Sequence, residues 1–187
     1  MGQPYPVRYT VVPVIGPDGV GKTSLLQALG GYLQQRDHLP APPVRFVQTG
    51  GSNALVLDVR GDGGFHQLVD FASAEEQPGL LRSTPFPGAV LVVSAPDSIV
   101  PATLDILMAA REAGIARIAL ALTKCNLVED PEMLDLVTME VREVLEKYGC
   151  GDAAPVVCVG AGAEGRAAER WWRANGELLQ AVQTWIP

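Results

Sequence analysis

Clusters of Lys and Arg are absent from this sequence, and acidic residues outnumber basic ones. The 187 residues include 14 Lys and Arg against 21 Asp and Glu, a formal net charge of −7. Proteins that bind nucleic acid need grouped cations to displace counterions from the phosphates. We therefore expect no nucleic-acid partner, and we interpret the acidic balance as ordinary solubility.

Long apolar runs are also lacking. The longest, residues 89–93, is far too short to cross a bilayer, and the first residues lack the basic and then apolar pattern of a secretory signal. We expect no membrane partner and a cytoplasmic location.

Cysteine is scarce, with only Cys125, Cys150 and Cys158. Their number is odd and their spacing is not that of metal ligands, so small buried hydrophobic side chains are a better interpretation than a disulfide set or a zinc site.

What the sequence does contain is an α/β pattern over a length typical of one domain, which we predict to span residues 1–187. Four nearly continuous aliphatic runs predict parallel strands covered on both faces: residues 9–15, 89–94, 117–122 and 155–159. Residues 54–60 and 65–70 flank the turn Gly61-Asp62-Gly63-Gly64 and predict an antiparallel edge hairpin. About six strands are expected.

Helices are predicted between the strands and at the end of the chain. Residues 132–148 carry an apolar stripe that begins at Met133, and we expect it to pack on the sheet. The last helix, residues 165–184, carries Trp171 and Leu178, for which core packing is the favoured role.

A phosphate-binding loop is the strongest chemical signal. It lies between a predicted strand and a predicted helix and matches G-x-x-x-x-G-K-[ST] as Gly16-Pro17-Asp18-Gly19-Val20-Gly21-Lys22-Thr23, followed by Ser24. Glycines let successive backbone N–H groups point inward, and the start of the helix adds its positive end. The motif predicts a three-layer P-loop NTPase fold with helices on both faces of a mostly parallel sheet.

Three side chains complete the predicted phosphate and metal site. Lys22 would bridge the outer phosphates, and Thr23 would bind Mg²⁺ through its hydroxyl. Asp70, at the end of a predicted strand, is suited to holding the metal's hydration shell. An Asp there could instead cap a following helix.

From Gly88 onward the sequence resembles the GTP-binding domain of elongation factor Tu with few or no gaps, through AVLVVSAPDSIVPATLDILMAAREAGIARIALALTKCN and LVEDPEMLDLVTMEVREVLEKYG. The resemblance covers nearly the whole chain and is weakest in residues 36–53 and 71–87. It implies binding of GTP or GDP. The family's two β-barrel domains, which help to grip aminoacyl-tRNA, have no counterpart in these residues, so we expect this chain alone not to deliver tRNA.

The base-reading loop departs from the family pattern. Thr123-Lys124-Cys125-Asn126 stands where the family has Asn-Lys-x-Asp. A carboxylate accepts hydrogen bonds from both guanine N1–H and the 2-amino group, whereas the Asn126 amide offers one acceptor and one donor. The mismatch should cost about 1–3 kcal/mol and relax base specificity towards xanthine. The resemblance also places Gly160-Ala161-Gly162 at the family's Ser-Ala-x, so the Ala161 N–H could still reach the base.

The γ-phosphate segment departs as well. The family's Asp-x-x-Gly-His is here Asp70-Phe71-Ala72-Ser73-Ala74. Ser73 restricts a peptide that glycine would leave free, and Ala74 replaces the family's water-positioning His with a methyl group that forms no hydrogen bond. We therefore assign no catalytic residue and expect slow hydrolysis. Asp18 either lies near the γ-phosphate or points to solvent.

The first switch threonine of the family has no clear equivalent. The alignment places Gly51 there, and Thr49 or Ser52 could take the role. Residues 39–43 predict an irregular loop over the site, or a surface loop without any metal role.

Two functions from different classes remain open. One is a slow or partner-dependent GTPase; the other is a degenerate pseudo-GTPase that acts as a nucleotide-binding or protein-interaction module. In either case we expect another protein as partner. A P-loop kinase ranks last because no acceptor-binding or lid signature is visible.

Overall fold

A computed structural model describes residues 8–49, 52–61, 64–71, 73–150, 155–160 and 166–186. The strands are β1 (Tyr9–Ile15), β2 (Val44–Thr49), β3 (Ser52–Gly61), β4 (Gly64–Asp70), β5 (Ala89–Ser94), β6 (Ile118–Thr123) and β7 (Val156–Cys158). The helices are α1 (Lys22–Arg36), α2 (Gln77–Ser83), α3 (Pro101–Glu112), α4 (Pro131–Lys147) and α5 (Arg166–Trp185), with a short 3₁₀ turn at Cys125–Leu127.

The described strands form one sheet in the order β2-β3-β4-β1-β5-β6-β7. From β4 to β7 all neighbours are parallel, and β3 runs antiparallel to both β2 and β4. This confirms the predicted α/β fold with a mostly parallel sheet and an antiparallel edge, which is consistent with a P-loop NTPase. The sheet has seven strands rather than about six because residues 44–49, for which we predicted no strand, pair with β3.

Two apolar layers cover the sheet. One face packs against α1 and α5 through residues such as Leu26, Leu57 and Leu178, and the other packs against α3 and α4 through Leu91 and Val141. The central strands β5 and β6 are buried along their whole length, as the aliphatic runs predicted.

The two predicted helices are confirmed with small shifts of their ends. In α5, Leu178 is fully buried and Trp171 nearly so, which confirms a packing role. In α4 the buried stripe consists of Val137, Val141 and Leu145, whereas Met133 is half exposed and lies outside it. The start predicted at Gly165, and Asp62 and Gly63 of the hairpin turn, lie outside the described residues.

Among the described residues, no helix is long and apolar enough to span a bilayer. Cys125, Cys150 and Cys158 all carry free thiols; the first two are buried and the third is partly exposed.

Candidate nucleotide-binding site

The site lies at one edge of the sheet, where β1, β5 and β6 end side by side. These strands are parallel and adjacent, so their carboxyl ends meet at the same edge. The phosphate loop follows β1, and the base-reading loop follows β6. The topology therefore brings together two motifs that are far apart in sequence, at the position where α/β sheets bind ligands.

The backbone of the phosphate loop needs glycine at three points. Gly16, Gly19 and Gly21 have φ of 147°, 77° and 94°, a region that other residues rarely adopt. A Cβ on Gly16 would also collide with the carbonyl oxygen of Val92. Helix α1 begins at Lys22, and no described side chain caps its start and no acid lies in its first turn. The positive end of the helix therefore opens into the loop.

Lys22 is held inside the loop. Its side chain is 8% exposed, and its Nζ donates hydrogen bonds of 2.9 Å to the carbonyl oxygens of Gly16 and Pro17. The same ammonium lies 3.7 Å from the Asp18 carboxylate. A single desolvated cation at the mouth of a curled loop is suited to binding phosphate oxygens.

Thr23 and Asp70 meet across the site. The Thr23 hydroxyl donates a 2.6 Å hydrogen bond to Oδ2 of Asp70, which ends β4. Burial raises the pKa of the Asp70 carboxyl and the nearby Asp18 adds to this, while the Thr23 hydrogen bond and the Lys22 charge oppose it. A bound cation would relieve the cost of keeping Asp70 ionised.

These oxygens fit a magnesium ion. Mg²⁺ is usually bound by one or two protein oxygens, with nucleotide phosphates and water completing its shell. The part of the chain that the structure describes contains no group of three or more His, Cys, Asp or Glu that could hold a metal by itself. Thr23 and Asp70 would supply two such oxygens to a metal that arrives with a nucleotide.

An open cavity of about 500 Å³ lies over the phosphate loop. It includes Asp18, Gly19, Gly21, Lys22, Thr23, Ser24 and Asp70 from the predicted set. Its far wall was not predicted and is formed by β2 and β3 through Phe46, Asn53, Ala54 and Leu55. Phe46 is 77% exposed, so the edge strand presents an aromatic ring beside the phosphate site.

A second cavity of about 180 Å³ adjoins the first, because both include Gly21 and Ser24. It contains the predicted base-reading residues Thr123, Lys124 and Asn126. Ala161 lies outside the described residues. The predicted phosphate residues and the predicted base-reading residues thus line two adjoining cavities.

The base-reading loop is tied directly to the phosphate loop. The Thr123 hydroxyl lies 2.5 Å from the carbonyl oxygen of Val20 and 3.2 Å from that of Val93. Lys124 has a left-handed backbone (φ 57°), and its Nζ lies 3.8 Å from Asp97. Thr123 therefore fixes the spacing of the two loops through its hydroxyl.

Helix α5 contributes two features to the base pocket that the sequence did not indicate. Asn175 lines the pocket beside Asn126, so two amides face this space. Gly160 also lines it and packs against the indole of Trp171, because a Cβ at Gly160 would lie 2.6 Å from Cε2 of that ring. With the indole in this position, any residue larger than glycine at 160 would collide with the ring.

Asp18 turns towards the site although its side chain is 69% exposed. Its Oδ1 accepts a 3.2 Å hydrogen bond from the backbone N–H of Ala74. This contact joins the phosphate loop to the γ-phosphate segment, whose Ser73 is exposed at the rim of the cavity. The carboxylate is therefore directed at the segment rather than only at solvent.

Gln77, the first residue of α2, forms a second link between the chain after β4 and the phosphate loop, and no sequence motif indicated it. Its side chain is 2% exposed and makes two hydrogen bonds to one residue. Oε1 accepts from the N–H of Gly16 at 2.9 Å, and Nε2 donates to the Gly16 carbonyl at 3.1 Å. The amide thus satisfies a buried backbone group that has left the strand ladder.

The residues considered for the first switch lie largely outside the described part of the chain. Gly51 lies outside the described residues, as do the side chains of Thr49 and Ser52, although both backbones pair at the β2–β3 turn. Residues 39–43 are irregular, as predicted, and lead directly into β2.

The fold and the loop together define a P-loop nucleotide-binding protein: a glycine-rich turn joins a central parallel strand to a helix and ends in Lys22-Thr23. A family model described as the elongation factor Tu GTP binding domain matches residues 82–187, which is more than half of the chain. The chain belongs to this family and is a GTP-binding protein. The match contains β5 to α5, including the base-reading loop.

Replacing Gln77 by Ala should lower the free energy of unfolding by about 1–3 kcal/mol, because the buried N–H of Gly16 would lose its acceptor. Urea denaturation measures this change. The matched control is Gln35→Ala on the exposed face of α1, for which we expect a change within about 0.5 kcal/mol. Equal effects of the two substitutions would contradict the role of Gln77.

Proposed function

We propose that this chain binds GTP and GDP together with Mg²⁺, and that it hydrolyses GTP slowly unless a protein partner supplies the missing catalytic group. The observation that carries the proposal is a complete phosphate-binding arrangement beside an incomplete catalytic one. Lys22, Thr23 and Asp70 lie around one cavity. Ala74, whose side chain is a methyl group, stands where the family has its water-orienting His.

Each residue has a defined part in binding. The Lys22 ammonium now donates to the Gly16 and Pro17 carbonyls. When a nucleotide binds, it would donate to phosphate oxygens, either in place of these carbonyls or in addition to them. The first-turn amides of α1 would face the same phosphates. Thr23 and Asp70 would hold Mg²⁺, which when bound would offset the negative charge of the phosphates.

Slow turnover is supported by two features of the γ-phosphate side. Ala74 has no group that could orient an attacking water by a hydrogen bond. The Asp18 carboxylate accepts a hydrogen bond from the Ala74 N–H, so its negative charge lies near the place where charge would develop on the phosphate. A partner could supply a cation there, as an arginine does in other GTPases.

A second candidate function is a module that binds nucleotide without hydrolysing it and contacts another protein. The links from Asp18 to Ala74 and from Gln77 to Gly16 favour it, because both fasten the segment after β4 to the phosphate loop. A segment fastened in this way would respond less to the presence of a γ-phosphate.

Replacing Lys22 by Ala should weaken GDP binding by about 10- to 100-fold, the factor expected when a charged hydrogen bond to phosphate is lost. Isothermal calorimetry in Mg²⁺ buffer measures the dissociation constant. Lys147→Ala, at the exposed end of α4, is the control and should bind as the parent does. No heat from the parent with any nucleotide would refute the proposed function.

Replacing Ala74 by His should accelerate single-turnover phosphate release from bound GTP at least about tenfold, because an imidazole could orient the attacking water. Glu75→His places the same ring one residue further on and should have little effect. Fast release by the unmodified chain without a partner would show that Ala74 does not limit catalysis. No release even with Ala74→His would favour the non-hydrolysing module.

Replacing Asn126 by Asp should tighten GDP binding about tenfold and weaken XDP binding, because a carboxylate accepts both guanine donors. Parallel titrations with GDP and XDP give the ratio of the two dissociation constants. The control Gln180→Glu makes the same amide-to-carboxylate change at an exposed position of α5. A parent chain that already binds GDP far more tightly than XDP would refute relaxed base specificity.

A further inference from the structure

Two of the three cysteines meet beside the base-reading loop. Cys158 of β7 pairs in register with Leu122 of β6, and Cys125 follows three residues after Leu122. The N–H of Cys125 donates to the Val159 carbonyl at 3.3 Å, and its Sγ donates to the Leu122 carbonyl at 3.2 Å. Cys125, in the turn after β6, therefore lies close to Cys158 on the neighbouring strand β7.

Their side chains also lie on the same face of the sheet. Cys125 and Cys158 pack in the apolar layer under α3 and α4, whereas Val157 and Val159 belong to the opposite layer. The two thiols interact with each other. The contact between the two thiols raises the pKa of Cys125 and lowers that of Cys158 to about 7; burial and the Asp135 charge oppose the second shift, and the Arg170 charge assists it.

Only one of the two thiols is open to small reagents. Cys158 is partly exposed and lines an open cleft of about 460 Å³, to which α5 contributes Arg170 and Arg173 together with Glu169 and Glu177. Cys125 is 2% exposed. A partly exposed thiol near the Arg170 charge, with a buried thiol beside it, is the arrangement of an attacking and a resolving cysteine.

We propose that Cys125 and Cys158 are a redox-sensitive modification site, oxidised by a peroxide to a disulfide that weakens nucleotide binding. Both thiols are free in the reduced protein. The proposal goes beyond the sequence-based interpretation of these cysteines as inert core residues, and its effect on binding rests on the proposed function.

The chemistry balances with hydrogen peroxide as the oxidant. The Cys158 thiolate attacks one peroxide oxygen, an S–O bond forms, the O–O bond breaks and hydroxide leaves. The Cys125 sulfur then attacks the sulfenic sulfur, the S–S bond forms and the S–O bond breaks. The two thiols release two protons in total, and these combine with the two hydroxides, one from each step. Two thiols and one peroxide thus give one disulfide and two waters.

The disulfide would disturb the base pocket through the chain itself. Cys125 lies between Lys124 and Asn126, both of which line that pocket. On oxidation the Cys125 sulfur loses its proton and with it the hydrogen bond to the Leu122 carbonyl. Lys124 already has a left-handed backbone, so it tolerates little displacement.

The modification itself is tested without nucleotide. The reduced chain is treated with stoichiometric hydrogen peroxide and analysed by intact mass and by peptide mapping under non-reducing conditions. We expect a loss of two hydrogens and a linked peptide that joins Cys125 to Cys158. Cys158→Ser should abolish the linked peptide, whereas Cys150→Ser should preserve it because Cys150 is fully buried elsewhere. Oxidation of Cys158 to sulfinic acid without a linked peptide would overturn the proposal.

The effect on binding is a separate measurement. We expect oxidation to weaken GDP binding at least about tenfold, as measured by calorimetry, and dithiothreitol to restore it. Peroxide should leave the GDP affinity of Cys158→Ser unchanged. An oxidised chain that contains the disulfide and binds GDP as tightly as the reduced one would overturn the switch. A reduced chain that binds no guanine nucleotide would overturn both the proposed function and the switch, while a linked peptide from that chain would still support the modification site.

Discussion

The backbone of Gly16 is the point on which the site depends. Its carbonyl oxygen accepts from both Lys22 and Gln77, and its N–H donates to Gln77. The space where a side chain would begin is taken by the carbonyl of Val92 in the neighbouring strand. One residue thus joins the central sheet, the phosphate loop and the start of α2, and its buried backbone N–H and C=O are both satisfied. Any ligand that draws Lys22 away from this carbonyl acts on all three.

The sequence predicted what local periodicity and short motifs determine. Aliphatic runs located β1 and β5 to the residue, and the loop motif located Lys22 and Thr23 at the start of α1. The sequence did not predict strand β2 for two reasons. The prolines before it indicate irregular chain, and the exposed Phe46 weakens the alternation of buried apolar and exposed polar residues. Residues 44–49 form a strand because they pair with β3, and not because of their own sequence pattern.

The rest of the site depends on contacts between residues that are distant in the chain. Gln77 lies 61 residues from Gly16, and no spacing rule connects an amide in a helix to a loop so far away. Asn175 reaches the base pocket only because α5 packs beside α1. The family resemblance did not indicate Gln77 or Asn175, because their positions at the site follow from the tertiary structure. The departures at Ala74 and Asn126 could be seen in advance because they replace residues in short motifs.

The contact between Gly160 and Trp171 constrains how this chain could change over time. With the indole in place, a serine at position 160 would place its Cβ against the ring. A side chain at position 160 therefore requires that the indole move or that Trp171 be replaced by a smaller residue, so a change at one position depends on the other.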